Sequence, residues 1–157
     1  MKILVAYYSK GGNTRRVAEE ISKELCCDID EIRDRKNRTG IWGNFIALRD
    51  AFRKFMTDIE FKIDPVDYDL VIVGTPIWSF NVSPAVRTYF TKNIENFSNV
   101  AFFSTSGGLG VGRTFRQMGN LSKPPVACLG LHRFGIGGRM NVGKETKKIK
   151  EFCRMFR

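Results

Sequence analysis

The chain is 157 residues long, a length that suits one domain over residues 1–157 and leaves little room for two. Hydrophobic residues make up 43%, enough for a sizeable core, yet no apolar run approaches the roughly 18–20 residues of a membrane span. Lysine and arginine number 26 against 16 aspartate and glutamate, and the net charge of +10 favours acidic partners or anionic surfaces.

KILVAYY (2–8) reads as a first strand. Lys2 followed by this run lacks the basic-apolar-small order of an export signal, which predicts an unexported, cytoplasmic chain. SKGGNT (9–14) follows, and then Val17, Ile21 and Leu25 recur at helical spacing, so 13–26 reads as a helix. DIDEIR (28–33) alternates as a less buried strand does. Segment 34–60 is too long for a loop. Phe45, Leu48, Phe52 and Phe55 give it a helix on the sheet, entered past Trp42 between Gly40 and Gly43. LVIVG (70–74) and VAFFS (100–104) are continuous apolar runs, the pattern of strands buried on both faces of a parallel sheet. Ser83-Pro84 opens a helix through Tyr89 and Phe90, with Pro where a first turn tolerates it. A short helix spans 111–119, PVACLGL (125–131) is a fifth strand, and Lys144 to Phe156 carries Ile149, Phe152, Cys153 and Phe156 on one stripe.

Strands alternating with helices predict an α/β fold: an open, doubly wound sheet of five parallel strands with helices on both faces. In such sheets ligands sit beyond the carboxyl ends of the strands, where the winding reverses. The loops after strands one, three and four are therefore the candidates.

The first, SKGGNT, joins a strand to a helix N-terminus, whose unpaired N–H groups carry partial positive charge. Ser9 and Thr14 add hydroxyls, and Asn13 can cap or donate, so an anion can rest there. A tight turn with a capping residue explains the same letters. The second, GTPIWSFNVSP (74–84), places Trp78 after a central strand, where it either meets a flat ligand or covers the sheet edge. The third, STSGGLGVG (104–112), removes side chains at Gly107, Gly108, Gly110 and Gly112, so backbone can approach a ligand closely. It lacks G-x-G-x-x-G and follows a late strand, which disfavours a dinucleotide site. Together the loops describe a phosphate cradle, an aromatic wall and a close backbone. A phosphorylated planar heterocycle fits them.

At this point the chain resembles the short-chain flavodoxins and flavodoxin-like FMN proteins. YYSKGGNT is similar to the family's Y-S-x-T-G-N-T phosphate loop, GTPIWSFNVSPAVRTYF to its G-x-P-x-W flavin loop, and FFSTSGG to its third flavin loop. The resemblance runs the length of the chain in order. It implies a flavodoxin-like sheet order 2-1-3-4-5, bound FMN as cofactor, and electron transfer between redox partner proteins. Carried over by position, Ser9, Lys10, Gly11, Gly12, Asn13 and Thr14 hold the phosphate. Thr75, Pro76, Ile77, Trp78 and Ser79 line one side of the isoalloxazine. Ser104, Thr105, Ser106, Gly107 and Gly108 close the other, bonding the pyrimidine edge through backbone N–H groups. No catalytic side chain and no metal ligand is implied.

The departures from the family pattern matter. Gly11 stands where Thr is common, and Lys10 can supply charge instead. The third loop has Leu109 where a stacking Tyr is usual, so that flavin face is expected to be open. The backbone facing flavin N5 falls near Ser79-Phe80, without glycine, so a flip into positive φ there is expected to cost more and the semiquinone yield to be modest. Family members are usually acidic, so this basic chain is expected to meet redox partners through acidic surfaces on them. An NAD(P)H-dependent flavin or quinone reductase, or a protoporphyrinogen-oxidase-like flavoenzyme, is the alternative to an electron carrier.

Other signals are weaker. A basic nucleic-acid module is disfavoured because the Arg/Lys stretches at 33–54 and 144–157 lack interleaved aromatics for base stacking. GRMNVGKE (138–145) nearly matches a P-loop, but Glu145 stands where Ser or Thr should hold magnesium. A phosphoacceptor receiver needs acidic residues after strand one, where Ser9-Lys10-Gly11 stands. Cys26, Cys27, Cys128 and Cys153 form no C-x-x-C pair, and His132 is the single histidine. This disfavours zinc and predicts reduced, mostly packed thiols.

Overall fold

The computed structural model describes residues 1–35, 56–132 and 140–157. The expected helix on Phe45, Leu48, Phe52 and Phe55, its entry at Trp42, and the basic residues Lys36 to Lys54 lie outside the described residues.

Five strands run parallel. In chain order they are β1 (Ile3–Tyr7), β2 (Asp28–Glu31), β5 (Leu70–Trp78), β7 (Val100–Ser106) and β8 (Cys128–His132), and they lie in the sheet as β2-β1-β5-β7-β8. Counting only parallel strands, that is the order 2-1-3-4-5. The registers pair Val5 with Ile72 and Ile72 with Ala101, so β5 sits between two apolar neighbours. Three short strands were not expected. β3 (Arg33–Asp34) pairs antiparallel with β4 (Ile59–Glu60), and β6 (Asn81–Val82) folds back on the end of β5.

Helices α1 (Asn13–Leu25), α2 (Pro84–Asn93), α3 (Val111–Leu121) and α4 (Val142–Arg154) cover the two faces. The period-2 alternation of strand side chains sorts the core into two layers. Leu4, Ala6, Val71, Val73 and Phe102 pack under α2 and α3 with Tyr89, Phe90 and Met118. Val5, Ile72, Ala101, Phe103 and Leu131 pack under α1 and α4 with Val17, Ile21, Ile149 and Phe152. The near-continuous apolar runs of β5 and β7 are thus explained by burial on both sides.

Gly74 sets the fit of the second layer. A Cβ there would stand 2.0 Å from the Phe103 ring, so the ring occupies the space that any other residue would need. Tyr68 braces the β2 edge by donating its phenol to Asp28 at 2.7 Å.

Where the strands end differs from the sequence expectation. The third parallel strand continues four residues past Gly74, and the fourth reaches Ser106 rather than Ser104. The helix and strand ends elsewhere shift by a few residues. The thiols also differ: Cys153 is buried, Cys27 half-buried, and Cys26 and Cys128 exposed, all four free.

Gly74→Ala should therefore destabilise the protein by about 2 kcal/mol or more through overpacking against Phe103, seen as a lower urea midpoint at unchanged slope. Burial and the Asp28 carboxylate push the Tyr68 phenol up to about 12. The unfolded chain then loses that proton first, so stability should be fully present below about pH 10 and fall towards pH 12. A urea series in that range checks it, and Tyr68→Phe should flatten the fall.

Candidate functional site

Parallel β1, β5 and β7 end at the same edge of the sheet, and their continuations meet there. They form a cleft of about 490 Å³ of empty space including its open mouth. Its lining is Ser9, Lys10, Gly11, Asn13, Thr14, Pro76, Ile77, Trp78, Thr105, Ser106 and Gly107. Every one of these is a sequence-predicted site residue, and all three loops contribute. Gly12, Thr75, Ser79, Ser104 and Gly108 are not brought onto the lining.

The first wall is the entry to α1. Gly12 is the N-cap, with φ +82, a conformation glycine adopts without Cβ strain. Its N–H donates to Ser9 Oγ at 3.1 Å, closing the turn. No side chain caps this helix and no acidic residue lies in its first turn, so the protein does not neutralise the positive helix end. Asn13 has a task the sequence did not reveal: its Oδ1 accepts the Met140 N–H at 2.9 Å, tying the loop to the segment before α4.

The second wall is a β-hairpin rather than a loop. β5 carries Pro76, Ile77 and Trp78 to the cleft, and Trp78 pairs with Asn81 across a two-residue turn. Both turn residues are left-handed, Ser79 at φ 48 and Phe80 at φ 61. The twist of a hairpin favours that turn, but Asn or Gly usually fills it. A left-handed non-glycine residue costs roughly 1–2 kcal/mol, so the positive φ expected to be expensive here is already built into the fold. Trp78 meets Tyr8 edge-on at 5.6 Å between centroids, and Lys10 Nζ lies 5.9 Å from the Trp78 ring centre. Thr75 is wholly buried. Its hydroxyl accepts the Ser83 N–H at 3.2 Å and lies 3.1 Å from Ser83 Oγ, which pins β5 to the start of α2.

The third wall follows β7. Thr105 Oγ1 and Thr14 Oγ1 are 2.9 Å apart in a buried hydrogen bond that joins the first and third walls. Ser106 Oγ accepts the Gly108 N–H at 3.2 Å and bonds His132 Nδ1 at 3.0 Å. The Ser104 hydroxyl is buried with no hydrogen-bond partner among the described residues. Cβ atoms added at Gly11, Gly107 or Gly108 would meet nothing within 4 Å, so these glycines leave open space around the cleft.

Tyr8, His132 and Gln117 are not among the predicted site residues: Tyr8 packs edge-on against Trp78, His132 bonds Ser106, and Gln117 bonds Asn81 of the second loop. His132 is brought in by β8 lying next to β7, and only strand order shows it. The described end of the near-P-loop, residues 140–145, leads into α4, where Asn141 Oδ1 caps the helix by accepting the Lys144 N–H at 3.4 Å. Among the described residues, no group of three or more His, Cys, Asp or Glu could hold a metal, and no helix is long and apolar enough to cross a membrane.

The flavodoxin family model matches residues 2–129. Among solved structures, the chain is similar to a flavoprotein of Lactobacillus acidophilus NCFM in complex with FMN, at 23% identity and TM-score 0.70, over 92% of this chain and 96% of that one. It is also similar to a flavoprotein of Bacteroides eggerthii DSM 20697, at 23% identity and TM-score 0.75, over 98% and 96% of the two chains. Two-electron reduced Megasphaera elsdenii flavodoxin aligns at 15% identity and TM-score 0.58, over 98% of each chain. No curated protein matches the sequence.

The Thr14–Thr105 bond predicts a non-additive pair. Thr105→Val alone leaves a buried hydroxyl unpaired and should cost about 1–3 kcal/mol. Thr14→Val with Thr105→Val should cost less than the sum of the two singles, as a double-mutant cycle in urea would show.

Proposed function

The chain belongs to the flavodoxin family, and from that premise we propose that it holds FMN in the three-walled cleft and carries electrons between redox partner proteins. One observation carries the reading: three separate loops, each matching a family motif, line a single cleft with no carboxylate in its lining.

The residues fit the group. The uncapped N-terminus of α1, with Ser9, Lys10, Gly11, Gly12, Asn13 and Thr14, suits a phosphate through backbone N–H groups, hydroxyls and one ammonium. Pro76, Ile77 and Trp78 offer a flat apolar wall, with Ser79 at its end. Thr105, Ser106, Gly107 and Gly108 bring backbone close to the opposite edge. Thr75 and Ser104 act from within the sheet, Thr75 by anchoring the hairpin and Ser104 through its backbone. FMN supplies the redox chemistry when bound; the protein supplies orientation, electrostatics and exclusion of water.

The charge of +10 supports partners with acidic docking surfaces. Leu109, 71% exposed, is the large side chain of the third loop. That supports the second reading, a reductase in which a reduced nicotinamide reaches an uncovered flavin face.

The visible spectrum of the purified protein, repeated after FMN loading and removal of excess, tests the reading. Bands near about 375 and 450 nm with quenched flavin fluorescence are expected. A colourless protein that retains no FMN would overturn it. Trp78→Ala should weaken FMN binding by roughly tenfold, about 1.4 kcal/mol for one lost aromatic contact. Oxidation of NAD(P)H by the loaded protein with a quinone acceptor would favour the reductase over the carrier.

A further inference from the structure

The hairpin that carries Trp78 holds a conformation its own turn residues do not favour. Ser79 and Phe80 are both left-handed, and neither is Gly, Asn or Asp. Something beyond the turn must hold it, and helix α3 supplies the contacts. The Asn81 side-chain amide donates to the Ser79 carbonyl at 2.6 Å. Gln117 Nε2 donates to Asn81 Oδ1 at 2.6 Å, and Gln117 Oε1 accepts the Val82 N–H at 3.2 Å. Both ends of the Gln117 amide are thus spent on the hairpin. Asn81 is 2% exposed, so these bonds are made where water does not compete.

The N-terminus of the same helix braces the turn from its other side. Gly110, the N-cap of α3 at φ +88, lies so near that a Cβ on it would stand 2.9 Å from Phe80 Cα. Residues 107–110 connect β7 to this cap. Helix α3 therefore touches both the hairpin wall and the end of the third-loop wall.

We infer that Asn81 and Gln117 are positioning residues that clamp the Ser79-Phe80 turn and so hold the Trp78 wall of the cleft at the spacing its ligand requires. The inference rests on the reading of the cleft as an FMN site. It assigns a task to two residues that do not line the cleft: Asn81, within the second loop, and Gln117, which no loop motif includes.

Gln117→Met keeps the length of the side chain and removes both of its bonds. Its FMN dissociation constant, measured by flavin fluorescence quenching, should rise about tenfold or more. A second readout needs no flavin: in a Trp42→Phe background, where Trp78 is the remaining tryptophan, the emission of the FMN-free protein should shift on Gln117→Met. Asn81→Asp keeps the acceptor for Gln117, loses the donor to Ser79, and should act in the same direction. The deciding test is rescue. Phe80→Gly removes the strain the clamp opposes, so Gln117→Met should cost at most about threefold in FMN affinity in that background. A merely structural loss would cost the same in both backgrounds, and that result would overturn the clamp. So would an unchanged dissociation constant in Gln117→Met while the unaltered protein binds FMN. If the unaltered protein retains no FMN, the functional reading falls first and this role falls with it.

Discussion

Parallel pairing on both sides of β5 is the constraint on which the molecule depends. A strand with parallel neighbours must send its chain over a face of the sheet before the next strand can start in the same direction. Every carboxyl end then emerges at one edge. β1, β5 and β7 are adjacent, so loops separated by more than sixty residues of sequence come within hydrogen-bond distance, as Thr14 and Thr105 do. The cleft is a consequence of that topology. Its floor is firm because Val73 and Phe102 pack on one face while Ile72 and Phe103 pack on the other.

Charge is distributed in keeping with this geometry. At the β2 edge, Arg15 and Arg33 meet Glu31, and Arg35 meets Asp58 and Glu60. These exposed pairs contribute little to stability, but they balance the cations of that edge. The lining of the cleft includes Lys10 and no carboxylate, so the positive end of α1 is left for an anion. The α4 tail keeps a basic surface in Lys147, Lys150 and Arg154 beside Glu151. These residues share no part of the cleft lining.

The hairpin shows how local strain and tertiary support combine. A two-residue turn built from Ser and Phe is a poor hairpin by itself. It persists because α3 contributes Gln117 and the open Cα of Gly110. Strain held this way tends to gather at functional positions, where a surrounding structure over-determines the backbone. Here it sits one residue beyond the tryptophan that walls the cleft.

Among the described residues, the five parallel strands, helices α1 to α4 and the three loops of the cleft were legible in the sequence. Each is written in local patterns: continuous apolar runs for strands buried on both faces, helical spacing at Val17 and Ile21, and glycines where a side chain would obstruct. Tertiary structure alone decided that GTPIW continues a strand and folds into a hairpin, since pairing of Ile77 with Val82 has no signature in a turn lacking Gly and Asn. It also decided that Thr75 faces inward to Ser83, that Asn13 binds Met140, and that His132 reaches Ser106. These are contacts between distant parts of the chain. They follow from strand order and helix placement, and neither is visible in the run of residues around any one of them.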